Sequence, residues 1–310
     1  MAGPAIICMD PALPCYPMLM DVSFLNEIEA LPRLLCFSGV DFGVSLAQLR
    51  GVWGRALGLV APRAFAQVFD GALDDANRAS RPGYVLADQG TDRDGLRRVR
   101  WTLLGRDALA HDATLCLAWM RAGQAGVGDH GNYASFAVQS TALLGPDGAP
   151  SACGTSWRMD ALRWPLAGDP VNTPCQLVFP GGLCLTKKVN GRKIRVVANW
   201  PEITRTTRNR LRTWLPETSW PALDAAKEEW DRNVLDHPLV DHTTEVALSG
   251  YSRRQENESG DGRKTYLVRE GTLEFPAGLG EGWPLMLAMG WLGLGDHFTE
   301  GMGWCDVKPL

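Results

Sequence analysis

Arg205, Arg208 and Arg212 fall at i, i+3 and i+7 within Pro201–Leu215, so a helix there carries a basic stripe on one face. Ile203, Leu211 and Leu215 lie largely opposite, Arg210 widens the stripe, and Thr204, Thr206 and Thr207 add hydroxyl donors. Guanidinium forks suit phosphate oxygens and guanine edges. Lys187, Lys188, Arg192, Lys193 and Arg195 extend the basic run upstream. From Lys187 to Arg212 nine cations meet one acid, Glu202, a local +8 in a 310-residue chain of net charge −4, so the remainder carries −12. Such a segment either binds a polyanion at one place or is a solvated face.

A second group lies near the C-terminus. Gly293 and Gly295 are followed by five residues and then by Gly301 and Gly303. Glycines at both ends of a loop let the backbone take positive φ and bring amides close to an anion. The same pattern also serves a plain turn between a helix and an edge strand. Of the five histidines (His111, His130, His237, His242 and His297), only His297 lies in a motif, within this loop. A histidine there either supplies acid–base chemistry near neutral pH or is an ordinary surface residue. Arg50 and Arg55, off the apolar face of a predicted helix, and Arg253 and Arg254, just after a predicted strand, are further phosphate-neutralising candidates. Arg98 and Arg100 share one strand face within a lesser patch (Arg93, Arg97, Arg106) that Asp92, Asp94 and Asp107 partly cancel.

The eight cysteines form no C-x-x-C pair and no histidine stands at zinc-ligand spacing from them, so neither a metal, a cofactor nor a disulfide framework is expected. Thiols in apolar surroundings suit a reducing cytoplasm. The N-terminus does not read as a signal peptide, and the apolar run Gly282–Gly295 is too short to cross a bilayer, so no membrane partner is expected.

Periodicity supplies the elements that must position these residues. A strand over Leu31–Gly39 leads to a helix capped by Ser45, in which Leu46, Leu49, Trp53 and Leu57 form one apolar face. Strands follow at Tyr84–Ala87 and Leu96–Leu104, then a helix over Ala113–Ala122 and a strand within Asn132–Leu144. After a turn at Gly145–Pro150 come extended segments, Trp157–Trp164 and Gln176–Lys188, the latter broken by a Pro-Gly-Gly turn. Helices over Pro201–Leu215 and Trp220–Val234, strands at Glu245–Ser252 and within Arg263–Phe275, a short helix Trp283–Trp291 and a last strand Gly301–Val307 complete the chain. The order β-α-β-β-α-β is ferredoxin-like, and a second, decorated copy accounts for the rest. The expected fold is α+β, with tandem ferredoxin-like (RRM-like) domains at 1–148 and 149–310 and tryptophans used mainly as core.

The loop, with SGYSRRQ (Ser249–Gln255) and REGTLEFP (Arg269–Pro276) upstream, resembles the G-loop region of the RAMP superfamily. LRGVWGRAL (Leu49–Leu57), FAQVFD (Phe65–Asp70), RPGYVLA (Arg81–Ala87), TLLGR (Thr102–Arg106) and GQAGVG (Gly123–Gly128) occur in the order found in its CRISPR repeat-processing endoribonucleases. The type IV branch is a candidate placement. This resemblance implies metal-independent cleavage of a CRISPR repeat beside its hairpin by 2′-hydroxyl attack. It also implies retention of the crRNA and association with other subunits of a CRISPR ribonucleoprotein. The residues it nominates for chemistry are Arg50, Arg55, Arg253 and His297. For RNA the charge pattern and the loop together nominate Lys187, Lys188, Arg192, Arg205, Arg208, Arg210, Arg212, Arg98, Arg254 and the four loop glycines. One departure stands out: members often carry a histidine on or near the first helix, and Ser45–Val60 has none. A non-catalytic RNA-binding subunit of an effector complex is therefore the alternative. A metabolic enzyme with a phosphate loop is disfavoured, because neither G-x-G-x-x-G after a first strand nor G-K-[ST] is present.

Overall fold

The computed structural model of the chain describes residues 20–40, 44–69, 82–129, 132–151, 155–251 and 263–310. Strand β1 (Glu29–Ser38) leads to helix α1 (Leu46–Val60), then β2 (Tyr84–Thr91), β3 (Arg97–Leu104), α2 (Asp112–Ala125) and β4 (Ala137–Leu143). These strands pair antiparallel in the order β2-β3-β1-β4. The second half enlarges the first crossover: β5 (Cys175–Leu183), the ribbon β6 (Thr186–Val189) and β7 (Arg192–Arg195), then helices α3 (Trp200–Leu211) and α4 (Trp220–Val234). It continues with β8 (Thr244–Tyr251), β9 (Arg263–Phe275), α5 (Trp283–Leu292) and β10 (Asp306–Pro309). Its sheet runs β8-β9-β5-β10, again antiparallel. The same strand order in both sheets makes an α+β chain of two ferredoxin-like units. A two-residue strand, Trp157–Arg158, adds to β1 of the first sheet.

Local sequence explains the first helix. The Ser45 hydroxyl accepts from the Gln48 amide while the Gln48 side chain accepts from the Ser45 amide, a capping box that satisfies orphan donors. Its apolar stripe, Leu46, Leu49, Trp53 and Leu57, is buried, and Trp53 stacks on Trp119 of α2 with ring centroids 5.1 Å apart. The opposite face of the first sheet does not face solvent throughout: Val85 and Leu104 join the core built on α5, β5 and β9. Helix α5 thus touches both units, and it leads directly into the glycine-rich loop.

Four elements differ from the sequence reading. The segment Trp157–Trp164, expected to be extended, is strand only at Trp157–Arg158 and then forms a 3₁₀ turn at Met159–Ala161. Pro180-Gly181-Gly182 is not a turn but a bulge inside β5. Leu183 pairs with Arg269 and Phe179 with Gly271, so the three residues stand opposite Glu270 alone. A proline without an N–H is tolerated in a central strand only at such an irregularity. Helix α3 ends at Leu211 rather than Leu215, in a region running up to Pro216, which disfavours helix in the residue before it. The last strand begins at Asp306, because the residues from Gly301 onward complete the loop. Among the described residues no helix is long and apolar enough to cross a membrane.

Candidate nucleic-acid interface

Several of the sequence-predicted basic residues and part of the glycine loop meet around one cleft of about 620 Å³. Its walls include Lys187, Lys188 and Lys193 from the ribbon, Arg205, Asn209 and Arg212 from α3 and its end, and Gly295, Asp296 and Phe298 from the loop. The ribbon exists because Asn190 and Gly191 both take positive φ, 49° and 77°, the requirement of a tight two-residue hairpin. Antiparallel pairing places Lys188 directly across from Lys193. Like charges at such a position repel, and Lys193 is relieved by Asp296, 2.8 Å away. Lys188 and Arg192 are exposed.

The loop is held by protein, not left open. Gly293, Gly295, Gly301 and Gly303 all have positive φ. A Cβ on Gly295 would stand 2.4 Å from the Cys184 carbonyl, and one on Gly301 would stand 2.2 Å from Leu46 at the start of α1. The Gly303 amide donates to Gly182 in the β5 bulge at 2.7 Å, and the Asp296 amide donates to Cys184 at 2.9 Å. The Pro-Gly-Gly bulge is therefore the seat of the loop. Burial pushes the Asp296 carboxyl up, but hydrogen bonds from Lys193 and Thr186 and the Lys193 charge outweigh it and hold it below its usual range. Asp296 thereby ties ribbon to loop.

No protein-family model and no curated protein matches the sequence. Among solved structures, a Cas6 product complex superposes with a TM-score of 0.57 at 17% identity, over 90% of this chain and 99% of that one. Thermus thermophilus Cas6 gives 0.54 at 14% identity, over 91% and 99%. This chain has the Cas6 fold.

On this Cas6 fold the nominated residues separate into groups. Lys187, Lys188, Arg205, Arg210 and Arg212 line the cleft, as does Gly295. Arg208 lies outside it, and Arg208 and Arg212 both bind Asp224. Arg205 pairs with Glu202 and also donates to the Thr186 carbonyl at 2.9 Å, while Lys187 reaches Glu202 at 3.3 Å. Two carboxylates thus offset half the charge of these four cations. Arg210 is no part of the basic stripe: it is 6% exposed, with its guanidinium turned into the loop. At about 100° per residue it lies about 200° from Arg208 and almost in line with buried Ile203. Thr204 and Thr207 are fully buried and offer nothing to a ligand at the surface, whereas Thr206 lines the cleft.

Arg98 is half-buried and off the cleft, and its neighbour Arg100 is buried, donating to the Gly290 carbonyl and lying over the Trp291 ring at 4.3 Å. Burial lowers the Arg100 pKa to about 10, against the opposing charge of Asp306. Neither tracks a backbone across an open sheet, because α5 covers that face. Arg50 is half-buried, donates to the Tyr84 hydroxyl at 2.6 Å and lies over the Phe69 ring at 4.5 Å, while Arg55 is exposed. His297 sits at φ 61° with Nδ1 3.5 Å from a Glu300 carboxylate oxygen, and it does not line the cleft. Arg253 and Arg254 lie outside the described residues. Among the described residues no group of three His, Cys, Asp or Glu is placed to hold a metal ion. The sequence reading did not nominate Thr186, Asp296 or Phe298; the Asn-Gly turn was the signal that would have brought the ribbon, and with it Thr186, into view.

Proposed function

We propose that this chain is a cytoplasmic endoribonuclease that binds CRISPR repeat RNA in the cleft and cuts it beside the hairpin. The observation that carries this reading is the convergence of basic ribbon, basic helix and glycine loop on one cleft of a Cas6 fold. One of the superposing Cas6 structures is a product complex, which supports a nucleic-acid role for this architecture. The proposed chemistry is metal-independent: a 2′-hydroxyl loses its proton and attacks the adjacent phosphorus. The bond to the 5′-oxygen breaks, that oxygen takes up a proton, and the products carry a 2′,3′-cyclic phosphate and a 5′-hydroxyl. Positioning and neutralisation of phosphate charge supply much of the acceleration in such a step. Exposed Arg55 is the group on α1 available to a phosphate and carries the chemistry in this reading, while His297, beside Glu300 and off the cleft, is the histidine whose role the cutting rate assigns. After cutting, the chain retains its crRNA and joins other subunits of a CRISPR ribonucleoprotein.

A second reading, a non-cutting crRNA-binding subunit, is favoured by the engagement of Arg50 with Tyr84 and Phe69 and by the lack of histidine in Ser45–Val60. Labelled repeat RNA incubated with the protein in excess EDTA separates the two. The enzyme yields a single cut with a cyclic phosphate end; the subunit only retards the RNA. Cutting that requires added magnesium would refute the proposed chemistry.

A further inference from the structure

Helix α5 ends at Leu292, and its last carbonyls have no partner within the helix. Two buried guanidinium groups meet this end and the loop beyond it. Arg100, from the first sheet, donates to Gly290. Arg210, from α3, donates through Nε to Gly293 at 2.8 Å and through its second arm to Gly295, and its plane lies 3.8 Å from the Phe298 ring centroid. A buried cation needs acceptors, and here they are the carbonyls at the negative end of the helix dipole. The planar fork is the feature that lets one side chain fix two carbonyls two residues apart while stacking on a ring.

Arg210 borders the cleft, but it is 6% exposed and its guanidinium is committed to the loop carbonyls; we infer that it is a positioning residue, which sets the RNA-binding shape of the Gly293–Gly303 loop and does not itself touch RNA. The inference rests on the loop being part of the RNA site. Carbonyls turned inward onto Arg210 are withdrawn from the surface, where they would repel phosphate. Phe298, covered by the guanidinium, is held as a wall of the cleft. A loop fixed before the ligand arrives binds more tightly, because less ordering is left to do on association. Arg100 performs the same service one turn earlier and links it to the docking of the first unit.

Arg210→Lys is the discriminating variant, because it keeps the charge and removes the fork. The expected result is a Kd for repeat RNA raised about tenfold or more, with the slope of log Kd against log salt unchanged. Amide hydrogen exchange across 293–298 in the RNA-free protein should accelerate at least tenfold. Lys188→Ala, by contrast, should lower the salt slope by about one unit and leave loop exchange alone. If Arg210 held a phosphate, Arg210→Lys would bind within threefold of wild type and Arg210→Ala would lose about one unit of slope; that pattern overturns the inference. Unchanged loop exchange in Arg210→Lys overturns it as well. Should both variants fail to fold, the wild type decides. The Arg210 Nε–H resonance should be protected from exchange and unmoved by added RNA, and a large shift on RNA binding would refute the assignment. Wild-type protein that binds no repeat RNA would defeat the functional reading, while the exchange measurements still test the positioning role.

Discussion

Gly295→Ala should damage RNA binding more than it damages the fold. At φ 93° an alanine costs about 1 kcal/mol relative to glycine. Its Cβ would also stand 2.4 Å from the Cys184 carbonyl oxygen, an atom of the backbone that already accepts the Asp296 amide and has no rotamer to escape into. Overpacking of that kind costs roughly 1–3 kcal/mol, so the total is roughly 2–4 kcal/mol. If the whole penalty fell on global stability, Tm would drop by about 4–16 °C at ~2–4 °C per kcal/mol. The loop has a cheaper route: it lifts off Cys184, and the strain reappears when RNA requires the seated shape. Kd for repeat RNA should then rise at least tenfold, up to a ceiling of roughly 700-fold at ~1.4 kcal/mol per decade. Filter binding at fixed salt measures the affinity and scanning calorimetry the Tm. Gly51→Ala is the control, because nothing lies within 4 Å of its added Cβ inside α1 and alanine is the better helix former, by about 1 kcal/mol. Affinity within threefold of wild type, with the full Tm loss, would refute the argument that the loop's seat shapes the RNA site.

Four other outcomes are expected. Joint replacement of exposed Lys188 and Arg192 by Ala should lower the salt slope of RNA binding by about two units. Joint replacement of Arg208 and Arg212, which share the single negative charge of Asp224, should lower it by less, and Asp224→Asn should tighten binding. The Asp296 carboxyl is held below its ordinary value, so its contribution is present above the unfolded pKa and lost as pH falls through the lower folded one. The ribbon–loop tie should therefore be constant from pH 5 to 8 and fail only below about pH 4, read by carbon NMR of the carboxyl. His297→Ala should leave binding nearly intact and change the single-turnover cutting rate by less than about threefold, whereas a hundredfold drop would assign it the proton transfer.

The strand order and helix faces were legible because burial on one side writes a period into the sequence, as Leu46, Leu49, Trp53 and Leu57 do. The cleft was legible only in part. Lys187, Lys188, Arg205, Arg210, Arg212 and Gly295 could be nominated from charge and glycine spacing, yet Asp224 reaches Arg208 and Arg212 from a position that no local pattern pairs with them, whereas the Glu202–Arg205 pair has the ordinary i, i+3 spacing of a helix. Arg210 was misplaced because it was counted with its basic neighbours when its helical phase with Ile203 put it on the buried face. Arg100 likewise shows that an alternating strand has two faces, and that the polar one can be covered by a distant helix such as α5. Pro180-Gly181-Gly182 looked like a turn because a bulge in a central strand uses the same residues.

Crosslinking of 4-thiouridine-substituted repeat RNA, followed by mass spectrometry of the protein, tests most directly whether the cleft is the RNA site. The account predicts crosslinks concentrated in the ribbon at 186–195, along 205–212 and at 295–298. Crosslinks that instead cluster on the outer face of α1 and α2, around Leu59, Leu117 and Met120, with the cleft left unmarked, would contradict it.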